Sequence, residues 1–219
     1  TMVDFGGWEM PIQYPGGIVE EHLSTRSGCG LFDVSHMGRF RITGRDAKAF
    51  LQHVLTSNVS ALEVNQAQYA IIPNENGGAI DDAYLYRFVE DAYILVVNAA
   101  NAEKDWAHLS EQIKAFDAKM ENKSEAVALL SVQGPKSKEI LSDMAGGAFL
   151  TEPVKNALGT VNLCGKTAHI AKTGYTGEPV GYEIFALRED GVFLWDELVR
   201  RGAKPIGLGA RDTLRMEAA

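Results

Sequence analysis

Hydrophobic and polar positions alternate along this chain with two different periods. In "AEKDWAHLSEQIKAF", Trp106, Leu109, Ile113 and Phe116 recur three, four and three residues apart, the apolar stripe of a helix lying on a core. "GVFLWDELVRRG" predicts a second amphipathic helix, with Gly202 as its stop. "DAKAFLQHVL" predicts a third, with Phe50 and Val54 four apart and Asp46 as its N-cap. A shorter helix is expected over Glu20 to Arg26, ended by the Gly28 and Gly30 region, and another starting at Pro135.

The period of two belongs to strands. Segments 79–88 and 92–98 predict a β-hairpin around "VEDA", preceded by the short strand "AQYAIIP" and by "ENGG", a turn that needs positive φ. "LFDVSHMGRFRITG" reads as extended. "AVALLSVQGP" is apolar on both faces and predicts a buried strand. "TVNLCGKTAHIAKTGYTGEPVGYEIFAL" predicts two or three strands around a Gly-rich loop, and the opening "MVDFGGWEMPIQYPGG" a packed irregular segment. The class is α+β. Boundaries near residues 42 and 123 suggest a subdomain, 42–123, inserted into a discontinuous outer domain of 1–41 with 124–219.

Composition narrows the function. With 219 residues and 46% hydrophobic content the chain has a real core, and no apolar run approaches the roughly 20 residues that span a bilayer. A formal charge of −8 argues against a sequence-independent nucleic-acid binder. It leaves room for an anionic ligand, because one Arg in a pocket acts locally through its forked hydrogen bonds. Cys29 and Cys164 are far apart with no CxxC spacing, so neither a disulfide framework nor a metal site is expected, and a reducing compartment is. The chain begins "TMVDFGGW" and stops at "GARDTLRMEAA", inside a predicted helix. Both ends read as cut, and no targeting signal can be judged from the start.

The candidate chemistry lies in "NENGGAIDDAYLYRF", a strand with two adjacent carboxylates where Asp is disfavoured. Alternation puts Ile80, Asp82, Tyr84 and Tyr86 on one face and Asp81, Ala83, Leu85 and Arg87 on the other. Asp81 is expected to do no more than solvate the surface or contact the turn. Asp82, between aromatic rings, suits a flat heterocycle carrying N–H groups. The plainer alternative is a strand-entry residue that binds backbone amides of the "NGG" turn. Three other stretches bear on that choice. "KTGYTGEPVGYE" sets Gly174, Gly177 and Gly181 around Tyr175 and ahead of Glu183, either for close ligand approach or for a tight hairpin. "GLGARDTL" places Arg211 near a helix start, without the βαβ context of a dinucleotide site. Ser35 and His36 in "FDVSHM" lack a nucleophile motif, and His36 is read as structural.

Together, "MVDFGGWEMP", "GLFDVSHMG", "NENGGAIDD", "VVNAANAEKD", "QGP", "GYTGE…GYE" and "GLGARDTLRMEA" resemble, in order and approximate spacing and over essentially the whole chain, the T-protein of the glycine cleavage system. That family is the tetrahydrofolate-dependent aminomethyltransferases. The resemblance implies the first two domains of a three-domain cloverleaf, with the C-terminal β-barrel domain missing. It implies transfer of the methylene from the lipoyl-bound aminomethyl group on H-protein to tetrahydrofolate, with release of ammonia. Lipoylated H-protein would be the partner and tetrahydrofolate the co-substrate, in the cytoplasm, or in the mitochondrial matrix of a eukaryote.

By the same resemblance Asp82 is catalytic, at the N5/N10 region of the folate. Glu183 takes the pterin, whose amide edge offers two adjacent donors. Arg211 grips the glutamate tail, where a fork suits a carboxylate. Tyr69, Tyr86, Tyr175, Met37, Val96 and Asn98 fall on pocket positions. This chain departs from the pattern in two places. "GYTGEPVGYE" is one residue longer than the family's usual "GYTGEDGYE", and Lys155 and Asn156 stand where some relatives have a pair of pocket tyrosines. A folate-dependent demethylase on the same fold is the nearest alternative. A non-enzymatic folate-binding protein of the iron–sulfur assembly kind is a further one, but "KTGYTGEP" lacks the Cys of that group's K-G-C-Y-x-G-Q-E signature.

Overall fold

The structure, a computed structural model, describes residues 1–147 and 156–218. Its residues fall into two compact units, one of residues 1–35, 127–147 and 160–218 and the other of residues 36–126 and 156–159.

The first unit opens with β1 (Met2–Phe5) and β2 (Trp8–Pro11), paired antiparallel. Gly6 and Gly7 between them have φ of 62° and 87°, the backbone of a two-residue hairpin turn that a side chain disfavours. The stretch expected to be packed and irregular is therefore a regular hairpin, and Met2, Phe5 and Trp8 are exposed. α1 (Gly17–Ser27) follows, longer than Glu20 to Arg26, and then β3 (Gly30–Asp33).

The second unit contains β4 (Gly38–Thr43), α2 (Ala47–Val54), β5 (Gln66–Pro73), β6 (Ala79–Val89), β7 (Ala92–Val97), α3 (Ala102–Gln112) and β8 (Lys119–Asn122). Its strands form an antiparallel sheet in the order β5-β6-β7-β4-β8. Phe40, Ile42, Ala83, Leu85, Leu95 and Val97 project from one face of this sheet into a core with Phe50, Leu51 and Val54 of α2 and Leu109 of α3. The apolar stripe of α3 behaves as its spacing predicts. Trp106 meets Phe40 edge-on, with ring centroids 5.0 Å apart, and Ile113 and Phe116 pack on the same cluster. α2 begins directly after Asp46, but the Asp46 side chain makes no capping bond. Its Oδ2 instead accepts from the Asp117 backbone N–H at 3.0 Å, while the Asp46 N–H donates to the Asp117 carbonyl. That reciprocal pair satisfies the carboxylate away from the helix end.

Returning to the first unit, the chain forms β9 (Val127–Gln133), α4 (Ser137–Met144), β10 (Leu158–Leu163), β11 (Lys166–Ala171), β12 (Gly181–Leu187), α5 (Arg188–Arg200), β13 (Lys204–Pro205) and α6 (Leu208–Ala218). α4 starts two residues past Pro135. The sheet runs β10-β11-β12-β9-β3-β13, with β13 parallel to β3. Leu130 and Val132 of β9, Tyr182, Ile184 and Ala186 of β12, and Leu194 and Leu198 of α5 share its principal core. Gly202, at φ 96°, follows α5 as its stop. A smaller cluster of Phe32, Ile206, Ala210 and Leu214 seats α6.

Candidate functional site

The β6 strand sorts its residues as alternation requires. β5 and β7 supply the neighbours, with Ile71 opposite Asp82, Tyr69 and Val96 opposite Tyr84, and Ile94 opposite Tyr86. Asp82 therefore shares a sheet face with a run of aromatic rings. Tyr69 and Tyr84 meet edge-on at 6.4 Å, Tyr84 and Tyr86 are tilted at 5.3 Å, and Tyr86 stacks on Phe88 at 6.0 Å. Tyr86 and Val96 are buried, whereas Tyr69 is 50% exposed. Burial, followed by the adjacent Asp82 carboxylate, pushes the Tyr69 phenol above its ordinary pKa. The Tyr84 hydroxyl donates to Asn156 Oδ1 at 2.6 Å. Asn156 holds a positive φ of 66°, a conformation Asn tolerates better than most residues. Lys155 lies outside the described residues.

On the other face, Asp81 is not the solvated side chain that its sequence position suggested. It is buried at 8% exposure, next to the core residues Ala83 and Leu85. Asn98, at the end of β7, donates to it twice, from its backbone N–H at 3.2 Å and from Nδ2 at 2.9 Å. Asn101 Nδ2 adds a third bond, also at 2.9 Å. These donors make burial of a carboxylate tolerable, which a bare sheet face would not. Asn98 Nδ2 also lies 2.8 Å from Asp82 Oδ1 and 3.2 Å from the Asp82 carbonyl. One amide thus clips together two carboxylates that point to opposite faces. Asn101 carries no mark as a single residue. Its signal is the spacing of Asn98, Asn101 and Asp105 in "VVNAANAEKD", which brings the three to one side of a helix entrance.

Glu183, Arg211 and Tyr175 belong to the first unit. On β12, Tyr182 and Ile184 face the core, so Glu183 faces the other way, level with Ser131 on β9 and Ala171 on β11. Glu183 is buried. The glycines around it serve a neighbouring side chain. A Cβ on Gly174 would come within 2.0 Å of Gln133 Oε1, and one on Gly181 within 2.3 Å of the same atom. The Gln133 carboxamide fills the space they leave, donating to Ser131 Oγ at 3.1 Å and to the Thr173 carbonyl at 3.0 Å, and accepting from Thr176 Oγ1 at 2.9 Å. Gln133 closes an apolar run and opens the "QGP" motif, but the sequence alone assigns its side chain no role. Within the longer loop, Glu178 pairs with Arg26 at 2.7 Å.

Arg211 lies in the first turn of α6. Burial, reinforced by Arg215, lowers its pKa from the ordinary value, while Asp212 and Tyr175 act in the opposite sense. Its guanidinium makes no ion pair with a described residue. Tyr175 itself is exposed. Met37 precedes β4, half-buried, and its carbonyl accepts from the Arg39 guanidinium. Ser35 is held on the β9 backbone, its hydroxyl donating to the Leu129 carbonyl and accepting from the Leu129 N–H, a structural clamp.

Comparison with known proteins places the chain in a family. The family model for the GCVT N-terminal domain matches residues 1–219. An aminomethyltransferase from Deinococcus deserti is 49% identical over 217 residues, covering 99% of this chain and 60% of the relative. One from Thermus thermophilus is 48% identical, covering 99% and 61%. The chain thus spans about three-fifths of the length of these curated relatives. Among solved structures, glycine cleavage system aminomethyltransferase T from Bartonella henselae superposes with a TM-score of 0.90 at 34% identity, covering 100% of this chain and 58% of that one. A heterotetrameric sarcosine oxidase from Corynebacterium sp. U-96, at 14% identity and a TM-score of 0.61, shares the fold. Matched along its whole length by the family model, this chain belongs to the GCVT N-terminal domain family.

Proposed function

We propose that the protein is the aminomethyltransferase of the glycine cleavage system. It would transfer the methylene of the lipoyl-bound aminomethyl group on H-protein to tetrahydrofolate and release ammonia. The observation that carries this reading is the carboxylate of Asp82, oriented by Asn98 beside Tyr69 and Tyr84 on one sheet face. Tetrahydrofolate, when bound, supplies the nucleophilic nitrogen. Asp82 holds the folate nitrogens in their reactive state and assists proton movement, a contribution of roughly 10²–10⁴-fold. Placing the reacting atoms side by side contributes more, up to roughly 7–11 kcal/mol.

The other assignments fit the chemistry of the residues present. Arg211, a half-buried cation without an ion pair among the described residues, suits the glutamate tail. Glu183, a buried carboxylate on a strand, suits the amide edge of the pterin. Tyr69, Tyr86, Tyr175, Met37, Val96 and Asn98 are assigned to the folate pocket. Glu183 and Arg211 belong to the first unit and Asp82 to the second. Cys29 and Cys164 are both free thiols, in keeping with a cytoplasmic or matrix setting, and no helix among the described residues is long and apolar enough to cross a membrane.

The test supplies aminomethylated H-protein and tetrahydrofolate and measures ammonia and methylene-tetrahydrofolate. Equal formation of both supports the aminomethyltransferase. Methyl loss from a sulfur or nitrogen compound, with no ammonia from H-protein, would assign the protein to the demethylases.

A further inference from the structure

Beneath β6, on the core side, Asp105 stands in the first turn of α3 with no exposed surface. Neither of its carboxyl oxygens meets a hydrogen-bond donor among the described residues. Its partner is Asp81, a second buried acid. Two carboxylates in such a place repel one another, whereas one proton shared between them turns the pair into a hydrogen bond. The surroundings decide which acid carries that proton. Asp81 already accepts three N–H bonds from Asn98 and Asn101, and these favour its ionised form. Asp105 receives none.

Electrostatics agree with the geometry. Burial, then the hydrogen bond and charge of Asp81, push Asp105 up to about 8. Burial acts to raise Asp81 too, but its bonds with Asp105, Asn101 and Asn98 outweigh that and hold it below the usual carboxylate range. The other charges acting on Asp105 are Lys104, on its own helix, and Asp82, on β6. Lys104 is tied by its ammonium to the Ile80 carbonyl at 2.7 Å.

We propose that Asp105 is a positioning residue: as a neutral acid it donates to Asp81, keeps Asp81 fixed on Asn98, and through the Asn98 amide holds the Asp82 carboxylate in one orientation. Its role at Asp82 rests on the reading of Asp82 as catalytic, but the chain of contacts does not. Loss of the Asp105 proton puts two negative charges side by side and releases Asn98. The reacting carboxylate on the far face then loses its anchor.

Two measurements test this. The first follows the Asp105 carboxyl carbon and the Asn98 side-chain amide by NMR from pH 6 to 9.5, in the protein without ligand. Both should move together with a midpoint near 8, and in Asp105→Asn, which donates at every pH, the Asn98 movement should vanish. An ionised Asp105 at pH 6, or an Asn98 amide that stays still while Asp105 titrates, overturns the proposal. The wild-type titration decides even if the variant does not fold. The second measures transfer to tetrahydrofolate. The wild-type kcat should fall about tenfold between pH 7 and 9, as the protonated fraction of such a group does, with KM for folate little changed. Asp105→Asn should abolish that alkaline fall, and an identical profile in the variant would refute the idea. A wild-type protein with no transfer activity would sink the functional reading alone, because the NMR titration still decides the positioning.

Discussion

The side-chain nitrogen of Asn98 lies 2.8 Å from a carboxylate oxygen of Asp82 and, across the sheet, 2.9 Å from one of Asp81. Asn98 thereby joins the exposed chemistry of one face of β6 to the core on the other. Removing it with Asn98→Ala should cost about 1.5–3 kcal/mol of stability, the value of hydrogen bonds to charged groups. It should also lower kcat by about 10²-fold, the scale on which a reacting group is lost to misplacement. Urea denaturation and steady-state transfer kinetics read the two effects separately.

Arg211→Ala should weaken folate more than it slows transfer. A charge-assisted pair contributes roughly 1.5–3 kcal/mol, so the Kd for 5-formyl-tetrahydrofolate should rise about ten- to a hundredfold by calorimetric titration. Tight binding by the variant would show that the glutamate tail is held elsewhere.

Gly181→Ala should destabilise the first unit without touching the proposed catalytic residue. Its new Cβ would stand 2.3 Å from the Gln133 amide, and overpacking of this kind costs about 1–3 kcal/mol. Shortening the obstruction as well, in Gly181→Ala with Gln133→Ala, should recover part of the loss. A double-mutant cycle on unfolding free energies measures that coupling. Strict additivity would mean that the two residues do not meet as described.

Stability should depend on pH in a way that identifies Asp105. In the unfolded chain its carboxyl ionises near about 4, and in the folded protein near about 8. Between those values the native state holds one more proton than the unfolded state, so stability falls as pH rises, by up to about 1.4 kcal/mol per pH unit. Asp81, lowered on folding, acts with the opposite sign and only at more acid pH, where its protonation costs stability. Denaturation at pH 5 and pH 7 should therefore show a wild-type loss that Asp105→Asn lacks.

How much of this was legible beforehand follows from which interactions are local. The apolar stripe of α3, the hairpin after "ENGG" and the stop at Gly202 are written in spacing and turn chemistry, and all appear as expected. Alternation separated Asp82 from Asp81 correctly, because a strand leaves a side chain only two directions. What alternation could not supply was the far face, where α3 brings Asp105 and Asn101 up to Asp81 and makes it a buried partner. The glycines of "GYTGEPVGYE" were equally ambiguous. Their purpose depends on Gln133, some 40 residues earlier in the sequence, and no local pattern encodes that contact. The "FGGW" turn, by contrast, was readable from Gly6 and Gly7 and was obscured only by the aromatic residues around it.

The most direct test of the account is Asp82→Asn, assayed side by side for 5-formyl-tetrahydrofolate binding and for methylene transfer from aminomethylated H-protein. The substitution keeps shape and removes the charge. Folate affinity should stay within a few-fold of wild type, and transfer should fall on the order of 10²–10⁴-fold. Unchanged turnover in that variant would contradict this and remove Asp82 from the mechanism.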